Sequence, residues 1–258
     1  MAAIEIGNLA LDGSIAGAGP PLLFLHGGDY VALNARFLEI LARRWRVTAP
    51  RHPGFGHSVR PDGFRTIHDL AYLYLDWLDR QADPVLVVGS SFGGWAALEI
   101  AVRSVDKMVG LVLIDAVGVK FGGYQDRDIA DIYALPEDEV RRRTFYDPAW
   151  VLPDYGVLGD NELLAIARDR QAAAFYGWRP YMHNPGLKQW LHRVRVPTLV
   201  LWGEHDGIVL PEYGAKLCAT LPTAKFRQIT QAGHYPYIEQ PDAVADAIEQ
   251  FAATEVKR

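Results

Sequence analysis

The stretch Val85-Leu-Val-Val-Gly89-Ser90-Ser91-Phe92-Gly93-Gly94-Trp95 decides the fold. Residues 85–89 are a short, β-branched run behind an Asp83-Pro84 turn, the pattern of a buried strand. From Trp95 the pattern becomes Trp-Ala-Ala-Leu-Glu-Ile-Ala-Val-Arg, which reads as a helix with an apolar face. Between them, Gly89-Ser-Ser91-Phe-Gly93 puts glycine two places on either side of a serine. A sharp strand-to-helix turn strains the central residue and crowds those flanking positions too closely for a Cβ. The hydroxyl of Ser91 is then presented at the tip of the turn. The following helix aims its free N–H groups and positive dipole end at the same point, which suits a developing oxyanion. Ser91 is the expected nucleophile. Ser90 sits off the centre of the motif, and an ordinary Gly/Ser turn is the bland alternative.

Working outward, Leu22-Leu-Phe-Leu25 is a continuous apolar run that suits a central strand, and it ends in His26-Gly27-Gly28-Asp29. Glycines at a strand's carboxyl end leave backbone N–H groups bare where open α/β sheets bind ligands. Residues 4–11 alternate weakly, as an edge strand would, and residues 13–21 read as a Gly/Pro-rich turn. Residues 32–44 read as a helix and 46–49 as a strand. Residues 50–58 are a loop by composition, and 66–80 an amphipathic helix with a Thr66/Asp69 capping box. Residues 108–114 are the next strand, ending at Asp115. Strand–helix alternation resumes at 198–202 (strand), 211–221 (helix), 224–229 (strand) and 241–253 (helix). Repeated β-α units predict a doubly wound, mostly parallel sheet with helices on both faces.

The alternation stops between residues 118 and 192. Charged helical patches at 125–132, 136–143 and 161–175 stand among twelve aromatic side chains, including Tyr133, Trp150 and Tyr181. The expected division is a core of residues 1–117 and 193–258 with a helical cap inserted at 118–192.

A length of 258 residues with 50% hydrophobic content supports one large α/β core. The net charge of -5 gives no case for nucleic acid or an anionic membrane surface as a partner. The start of the chain lacks the basic and apolar regions of a signal peptide, and no apolar run would span a bilayer. A soluble cytoplasmic protein acting on a small molecule is expected. The single cysteine, Cys218, reads as a small apolar helix residue.

A serine hydroxyl needs a base to accept its proton, and the base needs an orienting group. Gln231-Ala-Gly-His234-Tyr-Pro follows the strand that ends near Ile229, which makes His234 the expected base. Leu201-Trp-Gly-Glu204-His205-Asp206 follows the strand at 198–202, which makes Asp206 the expected acid. Glu204 is the local alternative, read as a turn or salt-bridge residue. Asp115 is the remote alternative, read as a solvated turn. His52 and His57, among Pro and Gly, lack a third nearby ligand and are not metal sites. Neither metal nor organic cofactor is expected.

The order Ser91, Asp206, His234 is that of α/β-hydrolases. The sequence resembles that superfamily, in its single-domain esterase-like branch with a helical cap. Leu25-His-Gly-Gly28, Pro53-Gly-Phe-Gly-His-Ser58, Gly89-Ser-Ser-Phe-Gly93, Trp202-Gly-Glu-His-Asp206 and Ala232-Gly-His234 carry the resemblance across nearly the whole chain. It implies an oxyanion hole from the backbone N–H of Phe92 and that of Gly28, with Asp29 second to Gly28. It implies structural roles for His26 and the 53–58 loop. Hydrolysis of small or medium apolar carboxylic esters is the leading expectation. A C–C bond hydrolase or a perhydrolase would use the same triad. The C–C hydrolases often carry Trp after the histidine, where this chain has Tyr235. Haloalkane dehalogenases of this fold need a carboxylate at the elbow, which Ser91 is not. The alternative from another class is a binding protein on this fold with little turnover. The cap aromatics are expected mainly to pack, and Arg141-Arg-Arg143 to form a solvated helix face.

Overall fold

The computed structural model describes residues 2–147, 149 and 155–256. Trp150, one of the aromatics expected in the cap, lies outside them. The hairpin β1 (Ala2–Ile6) and β2 (Leu9–Ala16) leads into β3 (Pro21–Leu25), α1 (Ala35–Ala42), β4 (Arg46–Pro50), α2 (Ile67–Asp79), β5 (Val85–Ser90), α3 (Phe92–Ala101) and β6 (Met108–Ile114). Then come β7 (Gly118–Val119), α4 (Glu137–Thr144), α5 (Asp160–Gly177) and β8 (His183–Asn184). The chain closes with β9 (Thr198–Gly203), α6 (Pro211–Thr220), β10 (Ala224–Ile229), α7 (Pro236–Glu239) and α8 (Pro241–Glu255).

Among the described residues the main sheet has eight strands in the order β1-β2-β4-β3-β5-β6-β9-β10. The pairings β1–β2 and β2–β4 are antiparallel, and the others are parallel. The order reverses between β3 and β5, so the carboxyl ends of these two strands part there and leave a crevice. His26 and Ser91 follow those two ends.

Side-chain alternation sorts each strand onto both faces. Leu23, Leu25, Val85 and Val87 join one apolar core with α2, α3 and α6. Leu22, Phe24, Leu86 and Val88 join the other with α1 and α8. Every residue of α3 is buried, so it is apolar on all sides rather than on the single face expected. Its one charged residue, Glu99, is 1% exposed. Glu99 accepts from Arg103 at 2.6 Å, Trp95 Nε1 at 3.1 Å and Asn184 Nδ2 at 2.8 Å.

Two expected loops and helices differ. Residues 13–16 belong to β2, which runs on as a second strand of the hairpin and pairs with β4 from Gly13 to Ala16. Glycine hides this pairing in the sequence, yet the strand needs it: a Cβ on Gly13 would lie 2.5 Å from the carbonyl oxygen of Ala49. Residues 125–132 form turns, not a helix. The carboxylates of Asp126 and Asp128 accept the N–H groups of Gly123, Gly122 and Phe121, and so compete with helical bonding. The Thr66/Asp69 box caps α2 as expected, with Asp69 accepting from Thr66 N–H at 2.7 Å. No helix among the described residues is long and apolar enough to cross a membrane.

Candidate active site

Ser91 leaves β5 with φ 49° and ψ -115°, a backbone region that side-chain-bearing residues rarely adopt. The glycines around it are sterically required. A Cβ on Gly89 would lie 2.5 Å from the carbonyl oxygen of Gly93, and one on Gly93 would lie 2.1 Å from that of Leu25. Both obstacles are backbone, so neither can yield.

The loop after β10 brings His234 to this turn. Its backbone N–H donates to Thr144 at 2.7 Å, and that of Gly233 donates to Glu239 at 2.7 Å. His234 Nε2 lies 2.8 Å from Ser91 Oγ, and Nδ1 lies 2.8 Å from Asp206 Oδ2. Asp206 Oδ1 accepts the N–H groups of Ile208 and Val209 at 2.8 and 2.9 Å. Serine, imidazole and carboxylate, all buried, thus form one hydrogen-bonded chain. Glu204 is exposed and pairs with His205 at 3.6 Å, away from this chain.

Asp115 corrects the expectation of a solvated turn: it is 0% exposed. Strand β6 lies beside β9, so its end meets the start of the Asp206 loop. Asp115 Oδ1 accepts the N–H of Gly203 at 2.9 Å. Asp115, Asp206 and His234 bring one polar atom each to within 4.8 Å of one another. No sequence signal could have found this contact, because it depends on which strands are neighbours.

The loop after β3 is set by two buried histidines. The N–H of His52 donates to His26 Nε2 at 3.0 Å, which leaves Nδ1–H of His26 to donate to the carbonyl of Gly27 at 2.7 Å. His52 Nε2–H donates to the carbonyl of His26 at 3.1 Å, and its Nδ1 accepts from Tyr74 at 2.6 Å. Both rings are therefore neutral donors and acceptors. Burial holds His26 well below its ordinary range and lowers His52 to about 4. Gly28, beyond them, faces the elbow. A Cβ there would approach those of Ala173 and Phe92 to 3.2 and 3.7 Å. The N–H of Phe92 is the first of α3, where a helix has no internal acceptor.

Above Ser91 lies a cavity of about 200 Å³, lined by Gly28, Phe92, His234 and Tyr235 from below and by Tyr133 and Tyr181 from the 118–192 segment. Helix α5 is docked on the 52–58 loop through Asp169, which accepts from Gly56 N–H at 2.7 Å, and through Tyr176, whose hydroxyl donates to Pro53 at 3.1 Å. Arg170 of α5 is the one arginine or lysine among the described lining residues. It lies 3.7 Å from Asp29, 3.4 Å from Glu137 and 3.0 Å from the Tyr155 hydroxyl. Sequence reading missed this group because its members come from four separate segments. Arg142 and Arg143 pair with Glu139 on their own helix and do not line the cavity. Cys218 is half-buried on α6, against the core.

Residues 22–247 match the alpha/beta hydrolase family. The chain is 28% identical over 278 residues to a 2-hydroxy-6-oxo-2,4-heptadienoate hydrolase of Pseudomonas putida, covering 97% of this chain and 98% of that one. It is 30% identical over 253 residues to a 2-hydroxymuconate semialdehyde hydrolase of Pseudomonas sp. strain CF600, covering 92% and 88%. A solved structure, the 2-hydroxy-6-oxo-6-phenylhexa-2,4-dienoate hydrolase of Rhodococcus sp. strain RHA1, superposes with a TM-score of 0.76 at 24% identity over 96% of both chains. The order of the strands, the strained turn after β5 and these matches agree: the chain belongs to the alpha/beta hydrolase family and is an enzyme of that family.

Proposed function

We propose that the protein is a serine hydrolase of uncharged, small to medium carboxylic esters, with Ser91 as nucleophile, His234 as base and Asp206 as orienting acid. The observation that carries this reading is the chain of two 2.8 Å contacts from Ser91 through His234 to Asp206. Ser91 Oγ attacks the ester carbonyl carbon as His234 Nε2 takes its proton, and Asp206 stabilises the imidazolium. The N–H groups of Phe92 and Gly28 receive the oxyanion. Rigid backbone donors suit this because they are in place before the charge develops, and each is worth about 3 kcal/mol. The C–O bond breaks, and the alcohol leaves with the proton from Nε2. Water then attacks the acyl-enzyme by the same route, releasing the acid and restoring Ser91. Residues 118–192 act as the cap, closing the cavity above Ser91 and excluding bulk water.

Two features support uncharged and small substrates. A substrate carboxylate would have to displace Asp29 or Glu137 from Arg170, the one arginine or lysine among the described residues that line the cavity. The cavity of about 200 Å³ falls below the ~300–1,000 Å³ of sites for drug-sized ligands.

The second reading is C–C bond hydrolysis of a dienoate, favoured by the relatives that carry that activity in their names. It shares the triad and differs in needing room for a carboxylate. The deciding experiment labels wild type and Ser91→Ala with a fluorophosphonate, weighs the intact protein and measures p-nitrophenyl butyrate turnover on the same samples. One adduct and fast turnover in wild type alone support the ester reading. An adduct with turnover of a 2-hydroxy-6-oxo-dienoate only would favour the second. An adduct on both proteins would overturn Ser91 as nucleophile.

A further inference from the structure

Asp115 stands in an unusual place for an acidic residue. It follows β6 with φ 45°, its backbone N–H donates to Leu201 of β9, and it has no exposed surface. Its two oxygens are unequal. Oδ1 accepts from Gly203, whereas Oδ2 has no hydrogen-bond partner among the described residues. The groups around it are Asp206 and His234 on the neighbouring loops and Tyr237 and Glu239 on α7. The charged groups that act on it, Asp206 and Glu239, are both acidic.

Two adjacent carboxyls in a dry interior do not both ionise; one keeps its proton. The hydrogen bonds decide which. Asp206 accepts from three donors, Ile208 N–H, Val209 N–H and His234 Nδ1, and each donor stabilises its charge. Asp115 accepts from one. A carboxylate offers about four acceptor sites, so Asp206 has one left. We infer that Asp115 is a neutral carboxylic acid whose Oδ2–H donates to the Asp206 carboxylate, making it a positioning residue behind the acid of the triad. The inference rests on the triad reading of Ser91, His234 and Asp206. Burial first, and the charge of Asp206 second, push the Asp115 carboxyl well above the usual carboxylate range, in agreement with the hydrogen-bond count.

The contact has two consequences. It fixes the plane of the Asp206 carboxylate, with Oδ2 held between Asp115 and His234. It also draws charge away from the side that faces the imidazole, so the imidazolium gains less from Asp206 than from an unshared carboxylate.

The substitutions Asp115→Asn and Asp115→Leu separate these effects. Asparagine keeps the shape, with Oδ1 to accept from Gly203 and Nδ2–H to donate to Asp206. It should leave kcat/KM within about threefold and the acid limb of its pH profile unmoved. Leucine fills the space without a donor and should move the acid limb up by about one pH unit. The direct readout is the infrared difference spectrum between wild type and Asp115→Asn at pH 7. A carbonyl band of a protonated carboxylic acid, present in wild type and absent from the variant, is expected. Absence of that band would overturn the inference, as would loss of turnover in Asp115→Asn to the level of Asp206→Asn. The band needs no turnover. Should Ser91→Ala keep full activity, the triad reading would fail while the protonation of Asp115 could still be judged.

Discussion

Acidification offers a quantitative test of the histidine pair that carries the loop after β3. His52 is fully buried, and its folded-state value is about 4 against an ordinary 6.5. Between these values the unfolded chain binds a proton at His52 and the folded chain does not. Stability therefore falls as pH falls through this window. The contribution is fully present above pH 6.5 and lost once pH has dropped through about 4. At ~1.4 kcal/mol per pH unit, the gap amounts to about 3 kcal/mol. His26 acts with the same sign. Asp115 acts with the opposite sign, because its raised folded-state value contributes stability at low pH that is lost as pH rises. The wild-type curve alone can thus look flat, and the informative quantity is a difference between proteins. His52→Gln keeps an N–H for the carbonyl of His26 but cannot titrate. At pH 7 it should be less stable by about 1 kcal/mol, for the lost acceptor of the Tyr74 hydroxyl. On going to pH 4 the variant should gain about 3 kcal/mol on wild type. Urea unfolding followed by the fluorescence of the 7 tryptophans measures both proteins at each pH. A stability difference that stays constant from pH 7 to pH 4 would refute the assignment of neutral, hydrogen-bonded rings.

Other expectations are more direct. Gly93→Ala should destabilise by more than about 3 kcal/mol or prevent folding, since its Cβ would meet backbone at 2.1 Å; a melting temperature near wild type would contradict the packing of the elbow. Ser91→Ala should abolish ester turnover yet leave stability within about 1 kcal/mol, read by thermal melting beside the activity assay. Arg103→Met should cost about 3 kcal/mol because it strips the main partner from the buried Glu99, and adding Glu99→Leu should recover most of the loss. Equal kcat/KM for p-nitrophenyl butyrate and for the p-nitrophenyl half-ester of succinic acid would contradict the exclusion of anionic acyl groups; at least a tenfold preference for the butyrate is expected, and Glu137→Gln should narrow it.

Much of the fold was legible because local chemistry agreed with the global answer. The β-branched run before Gly89 and the nearly all-apolar α3 after it admit one arrangement, a buried strand turning sharply into a buried helix. The hairpin register was not legible, because Gly13 interrupts the apolar alternation just where β2 needs an absent Cβ. Residues 125–132 carry helical spacing but lose the helix to aspartate–backbone bonds within the same segment. Among candidate site residues, Ser91, His234 and Asp206 sit in short loops after strands, and a spacing rule can find such positions. Asp29, Glu137, Tyr155 and Arg170 follow no such rule, since they meet only when α4 and α5 fold over the strand ends.

By itself, then, the sequence determined the kind of protein this is: a doubly wound α/β chain whose glycines are spaced for a strained serine turn. That information is local, written in side-chain size and hydrophobic period over a few residues. Strand order is not local. The neighbour relation of β6 and β9, across more than eighty residues, turns Asp115 from an expected surface residue into a buried partner of Asp206. The docking of α5 decides in the same way that Arg170 meets acidic partners at the cavity. Ionisation depends on solvent access and neighbouring charge, and only the tertiary structure supplies either one.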